Sequence, residues 1–90
     1  MFDVRLSGKS EKFFRKSEEK LQLRLKMLFE TLEQSSVPAT EYDIKKIGSG
    51  EFDTYRVRLS SYRVIYAVHW KDKIIRVIKI ERKKDRTYKF

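Results

Sequence analysis

Ninety residues bound the chain to one small domain with one core, which buries about 60% of the surface that its unfolded form exposes. Without cysteine it has neither disulfides nor thiolate metal sites, and no apolar run is long enough to span a bilayer or act as a signal peptide, so the expectation is a soluble, cytoplasmic protein that makes no use of membrane. The formal charge of +9 is lopsided: residues 1–53 carry ten Lys/Arg and ten Asp/Glu, while residues 54–90 carry twelve and three.

Met1–Leu6 alternates Phe2, Val4 and Leu6 with Asp3 and Arg5, which predicts a short strand with one buried face. Ser7-Gly8 ends it. Ser10 is placed to cap a helix carrying Phe13 and Phe14, and Ser17 before Glu18-Glu19 reads as a second cap. Leu21, Leu25, Leu28 and Leu32 then recur at helical spacing, so two helices, or one bent near Ser17, fit the pattern. Ser35-Ser36-Val37-Pro38 closes the helical part. Residues 39–53 form a connection with one short strand possible over Tyr42–Ile47, ahead of Gly48-Ser49-Gly50.

Thr54–Leu59, Tyr62–His69 and Ile74–Ile80 predict three consecutive antiparallel strands, joined at Ser60-Ser61 and near Lys71-Asp72. The order is β-α-α-β-β-β in a single α+β domain spanning residues 1–90, with two N-terminal helices packed on an antiparallel sheet and a charged C-terminal tail. A two-residue turn at Ser60-Ser61 sets Leu59 opposite Tyr62 and Arg58 opposite Arg63. One face then holds Tyr55, Val57, Leu59, Tyr62, Val64, Tyr66, Val68 and Trp70 for the helices to cover. The other holds Arg56, Arg58 and Arg63, with Ile65, Ala67 and Ile78 beyond them. Two arginines face to face repel unless an anion lies between them. A merely solvated face would intersperse acids, and this stretch has few, so a polyanionic partner such as RNA or DNA is expected. The tail adds Arg82, Lys83, Lys84, Arg86 and Lys89 around Tyr88 and Phe90, a mixture suited to phosphate contacts and base stacking.

Other chemistry is missing. His69 is the single histidine and reads as structural; no metal or cofactor is expected. Gly48-Ser49-Gly50 lacks the lysine and spacing of a phosphate-binding loop, and Ser60 and Ser61 have no base partner. An enzyme built from this chain must work with Arg, Lys and Tyr. That set suits cleavage of RNA by its own 2′-hydroxyl, with guanidinium groups stabilising the charge that builds on phosphorus.

The segment Tyr55-Arg56-Val57-Arg58-Leu59-Ser60-Ser61-Tyr62-Arg63-Val64-Ile65-Tyr66 resembles the Y-R-x-R-x-G-x-Y-R-(V/L)-(I/V)-Y signature of the RelE/ParE toxin superfamily. Length and element order fit as well. The stretch Tyr66-Ala67-Val68-His69-Trp70-Lys71-Asp72-Lys73 is similar to the archaeal type of RelE. The resemblance implies a RelE-like fold and the toxin of a type II toxin–antitoxin pair. Such a toxin is a ribosome-dependent endoribonuclease that cuts mRNA in the A site, without metal, leaving a 2′,3′-cyclic phosphate. It implies catalytic roles for Arg56 and Arg58 on the strand before the hairpin turn, Arg63 after it, Arg82 or Lys83 beyond the last strand, and Tyr88. Lys84, Arg86 and Lys89 are the accompanying RNA contacts. Where many relatives carry Gly-His-Arg after the last strand, this chain has Ile80-Glu81-Arg82-Lys83, and the turn glycine is a serine.

The resemblance also implies an acidic, helical, RelB-like antitoxin in a heterotetramer or larger complex. Ile65, Ala67 and Ile78 give a separate reason to expect one, as an apolar patch on the face away from the helices. Two alternatives belong to other classes: a ParE-like inhibitor of DNA gyrase, and a catalytically silent RNA- or ribosome-binding module.

Overall fold

Alternating segments pair into one sheet, and the segments with helical period cover one side of it. The computed structural model describes residues 1–82. Its elements are β1 (Asp3–Leu6), α1 (Gly8–Lys16), α2 (Glu19–Gln34), β2 (Asp43–Gly48), β3 (Asp53–Leu59), β4 (Tyr62–His69) and β5 (Ile74–Arg82). The strand order across the sheet is β1-β5-β4-β3-β2.

The three central strands fall where alternation puts them, and β3 and β4 pair antiparallel in the expected register, Leu59 with Tyr62 and Arg58 with Arg63. The turn holds because Ser60 takes φ 61°, a left-handed conformation for the first central residue of a tight hairpin turn. The segment over Tyr42–Ile47 is a full strand, β2, paired antiparallel with β3 at the sheet edge. At the other edge β1 runs parallel to β5, so the sheet is mixed and not wholly antiparallel. No hairpin fixes the direction of β1, since its chain leaves through two helices and returns only at the far edge.

The helical stretch divides into two helices, the first capped three residues before the expected serine and the second one residue after it. Ser7 caps α1 by accepting from the Ser10 backbone N–H at 3.1 Å. Ser10 lies inside the helix, fully buried, and its hydroxyl donates to the Val77 carbonyl at 3.1 Å. Ser17 ends α1, its hydroxyl on the Phe13 carbonyl at 2.7 Å, while Glu18 precedes α2 with no side-chain cap. Gln22 then spans the break by donating to the Phe14 carbonyl at 2.8 Å.

Leu21, Leu25, Leu28 and Leu32 of α2 are buried against Tyr55, Val57, Val64, Tyr66, Val68, Ile75, Val77 and Ile80. A bulge in the β4–β5 pairing falls at Ile78, since Ile65 faces Lys79 while Tyr66 faces Val77. This extra residue lets Val77 and Ile80, three apart, both enter the core. Trp70 departs from the expected apolar face: it lies in the turn after β4, 47% exposed, with its ring edge-on to Phe2. No described helix is long and apolar enough to cross a membrane.

Candidate nucleic-acid interface

The side of the sheet away from the helices is built in rows, because residues paired across antiparallel strands share a face. One row reads Asp43, Arg58, Arg63, Glu81 from β2 to β5. The next reads Lys45, Arg56, Ile65, Lys79. A third sets Thr54 and Ala67 beside Arg76, which pairs in turn with Arg5.

The two facing arginines are therefore not left to repel each other. Arg63 Nε donates to Glu81 Oε2 at 2.8 Å, and Lys79 Nζ lies 3.3 Å from the same carboxylate. Asp43 stands 3.8 Å from Arg58 Nε and 3.9 Å from Arg56 Nη2, serving both loosely. Burial tends to raise the Glu81 carboxyl, but Lys79 and then Arg63 more than offset it and hold it below the ordinary glutamate value. These acids come from the strands on either side of the hairpin, β2 and β5, and stand opposite the arginines only once the register of those strands is known.

Arg56 is the most enclosed of the three arginines. Its side chain is 14% exposed, and its Nε is buried without a hydrogen-bond partner. A buried donor without a partner is costly, and an anionic ligand above the sheet would relieve it. With Lys45 and Lys79 in the same row, the face carries far more positive charge than Asp43 and Glu81 neutralise.

The structure thus brings Arg56, Arg58 and Arg63 together. It does not bring Arg82 to them: Arg82 pairs with Tyr62, on the helix side, and is exposed. Lys83, Lys84, Arg86, Tyr88 and Lys89 lie outside the described residues. Among the described residues no tyrosine stands on the cationic face. Tyr66 is buried, stacked on Tyr55 and donating to the Ser36 carbonyl at 2.7 Å. Burial, and after it Tyr55, pushes its hydroxyl well above the ordinary tyrosine value. Tyr62 packs edge-on against Phe13 of the helix layer.

The apolar patch is smaller than its sequence suggests. Ile78 is 42% exposed and Ile65 half-buried, but Ala67 is 6% exposed and offers little surface. Among the described residues, no cluster of His or carboxylates is arranged to hold a metal ion. Lys45, Lys79, Arg76 and Arg5 also belong to the face. Sequence reasoning missed Lys45 because no two-residue turn fixes the register of β2, which also shifts between Lys46 and Gly48, and Lys79 because its facing follows from the bulge.

The profile of a family described as the ParE toxin of a type II toxin–antitoxin system, parDE, matches residues 4–86. The RelE1 protein of Methanocaldococcus jannaschii is 42% identical over 60 residues, which are 67% of this chain and 66% of that protein, just under two thirds of its length. A chain of the archaeal RelE–RelB complex of Pyrococcus horikoshii OT3 superposes with a TM-score of 0.86 at 33% identity, over 93% of this chain and 97% of that one. The isolated E. coli RelE toxin shares the fold, with a TM-score of 0.79 at 19% identity, over 97% of this chain and 89% of its own.

Proposed function

The chain belongs to the ParE toxin family of type II toxin–antitoxin systems, and from that premise we propose that it is a RelE-type toxin, an endoribonuclease that cuts mRNA in the ribosomal A site. The observation that carries this reading is the cationic face itself. Arg56, Arg58 and Arg63 converge from two adjacent strands, and the most enclosed of them keeps an unpartnered N–H. Guanidinium groups fixed in this way are suited to a phosphodiester whose charge grows in the transition state.

The reaction needs no water and no metal. The 2′-oxygen attacks the adjacent phosphorus, the bond from phosphorus to the 5′-oxygen breaks, and a 2′,3′-cyclic phosphate and a 5′-hydroxyl result. The proton lost by the 2′-hydroxyl goes to a base, and another proton reaches the departing 5′-oxygen. Arg56 and Arg63 take the role of charge stabilisers, with Arg58 holding a neighbouring phosphate. Tyr88 and Lys83 remain the proposed partners for base stacking and proton transfer.

A RelB-like antitoxin is the proposed partner, by analogy with the complexes formed by the similar archaeal chains. An acidic helix laid over Ile78 and Ile65 would cover their apolar surface and neutralise the arginines beside them, in a heterotetramer or larger assembly. The second reading is a ParE-like inhibitor of DNA gyrase, which does not need the arginine cluster.

The test is primer extension on a translated mRNA, with and without ribosomes. The expected result is cutting at A-site codons only when ribosomes are present, reduced at least a hundredfold in Arg63→Ala, roughly what one lost charge-stabilising donor costs. No cutting by the unaltered protein would overturn the nuclease reading, and loss of gyrase supercoiling activity in its presence would establish the other.

A further inference from the structure

The cationic rows end at an aromatic platform. Past Ala67, the next residue of β4 on the same face is His69, and Phe52 lies flat against it with ring centroids 3.8 Å apart and planes 20° from parallel. Phe52 is 39% exposed, so a ring surface is left open to solvent. Beside it is a cleft of about 430 Å³ lined by Glu51, Phe52, His69, Trp70, Lys71 and Asp72, large enough for a nucleotide. Trp70 is held in place at this cleft: its indole N–H donates to Asp53 Oδ2 at 2.9 Å, and Phe2 braces its ring edge-on. That bond, with the Lys46 ammonium nearby, keeps the Asp53 carboxyl below its ordinary value and charged.

We propose that the Phe52–His69 stack and its cleft bind an unpaired base of single-stranded RNA whose phosphates run along the arginine rows of the same face. The proposal rests on the RNA-cutting reading above and adds a second contact point, about 20 Å along the strand from Arg63 to His69 at strand rise. A charged track leading to exposed flat rings is how single-stranded nucleic acid is held without sequence readout. Arg76 continues the track between the arginine cluster and the platform, while Arg5 beside it is paired with Asp3 at 2.9 Å. The rim selects for the base and against its phosphate, because Glu51 and Asp72 repel anions while Lys71 supplies a single cation. Ionised carboxylates only accept hydrogen bonds, so bases with an exocyclic amino group, guanine above all, suit the rim better than uracil.

Trp70 is the only tryptophan in the chain and reports on the cleft directly. The experiment titrates the full-length protein with a short guanosine-containing RNA oligonucleotide and with oligouridine, following tryptophan emission. A saturable change is expected, tighter for the guanosine-containing strand, and Phe52→Ala should weaken binding about tenfold, the loss of one stacked base. Phe52 lies at the surface, so the variant keeps its fold, and far-ultraviolet circular dichroism confirms that before titration. Tryptophan emission unmoved by saturating RNA, or Phe52→Ala binding as tightly as the unaltered chain, overturns the proposal. Either result leaves the function above standing if ribosome-dependent cutting persists and Arg63→Ala abolishes it.

Discussion

At the residue scale, Glu81 is the most informative single side chain. It restrains Arg63 at 2.8 Å and Lys79 at 3.3 Å, so it sets how much of the cationic face is free for phosphate. Its carboxyl lies below the ordinary value in the folded chain. The sign follows: the unfolded chain binds the proton more readily, so the pair stabilises the fold above the ordinary glutamate range near 4.3 and is lost as pH falls through the lower folded value. The groups are partly exposed, so the effect on stability is small. The effect on binding is larger. Glu81→Gln keeps the shape, removes the anion and releases Arg63, and should tighten binding of a single-stranded RNA about threefold to tenfold at low salt. Fluorescence anisotropy of a labelled oligonucleotide measures this directly, and weaker binding by the variant would contradict the role given to Glu81. Nothing near Glu81 in the sequence announces that role, since Arg63 is eighteen residues away along the chain.

At the scale of elements, the bulge at Ile78 decides which residues of β5 face outward. Ser10 and Ser7 secure it from α1: Ser10 Oγ donates to the Val77 carbonyl at 3.1 Å, and Ser7 Oγ stands 2.9 Å from the Ile78 carbonyl. The Val77 carbonyl also accepts from the Ser7 backbone N–H at 2.9 Å, so Ser10→Ala leaves it one partner and should cost about 1 kcal/mol. Leu28→Ala, in contrast, empties a fully buried site in α2 and should cost about 2–5 kcal/mol. Chemical denaturation of the two variants checks that order, and an equal loss in both would mean that Ser10 does more than its bonds suggest. These elements also show what sequence can convey. The β3–β4 register was legible because two residues at Ser60-Ser61 fix it, and with it the convergence of Arg56, Arg58 and Arg63. The pairing of β2 was not, because its link to β3 is no two-residue turn and the register shifts between Lys46 and Gly48, which leaves the pairing to packing. Nor was the parallel course of β1, whose partner β5 lies at the other end of the chain. Ser10 was misread as a cap because a buried serine inside a helix and an exposed one at its start look alike until the sheet beneath is known.

At the scale of the whole molecule, the division of labour between the two faces accounts for the charge asymmetry. Leucines of α2 and the inward strand residues use one side of the sheet for the core. Arginines and lysines from all five strands then stand on the other side, Arg5 of β1 among them. A face organised in this way should govern affinity for nucleic acid through counterion release, in proportion to the phosphates it touches. The slope of log affinity against log salt for a single-stranded RNA should therefore fall by about 0.7 for each of Arg56→Gln and Arg58→Gln, and by about 1.4 for the pair. Arg24→Gln, on the helix side at a groove with Glu18 and Tyr62, should leave the slope unchanged. Glutamine keeps most of the arginine stem over the sheet, so the slope change isolates charge from packing. If all three variants lowered the slope alike, the chain would be gripping RNA with its whole surface, and the arginine rows would lose their claim to be the site.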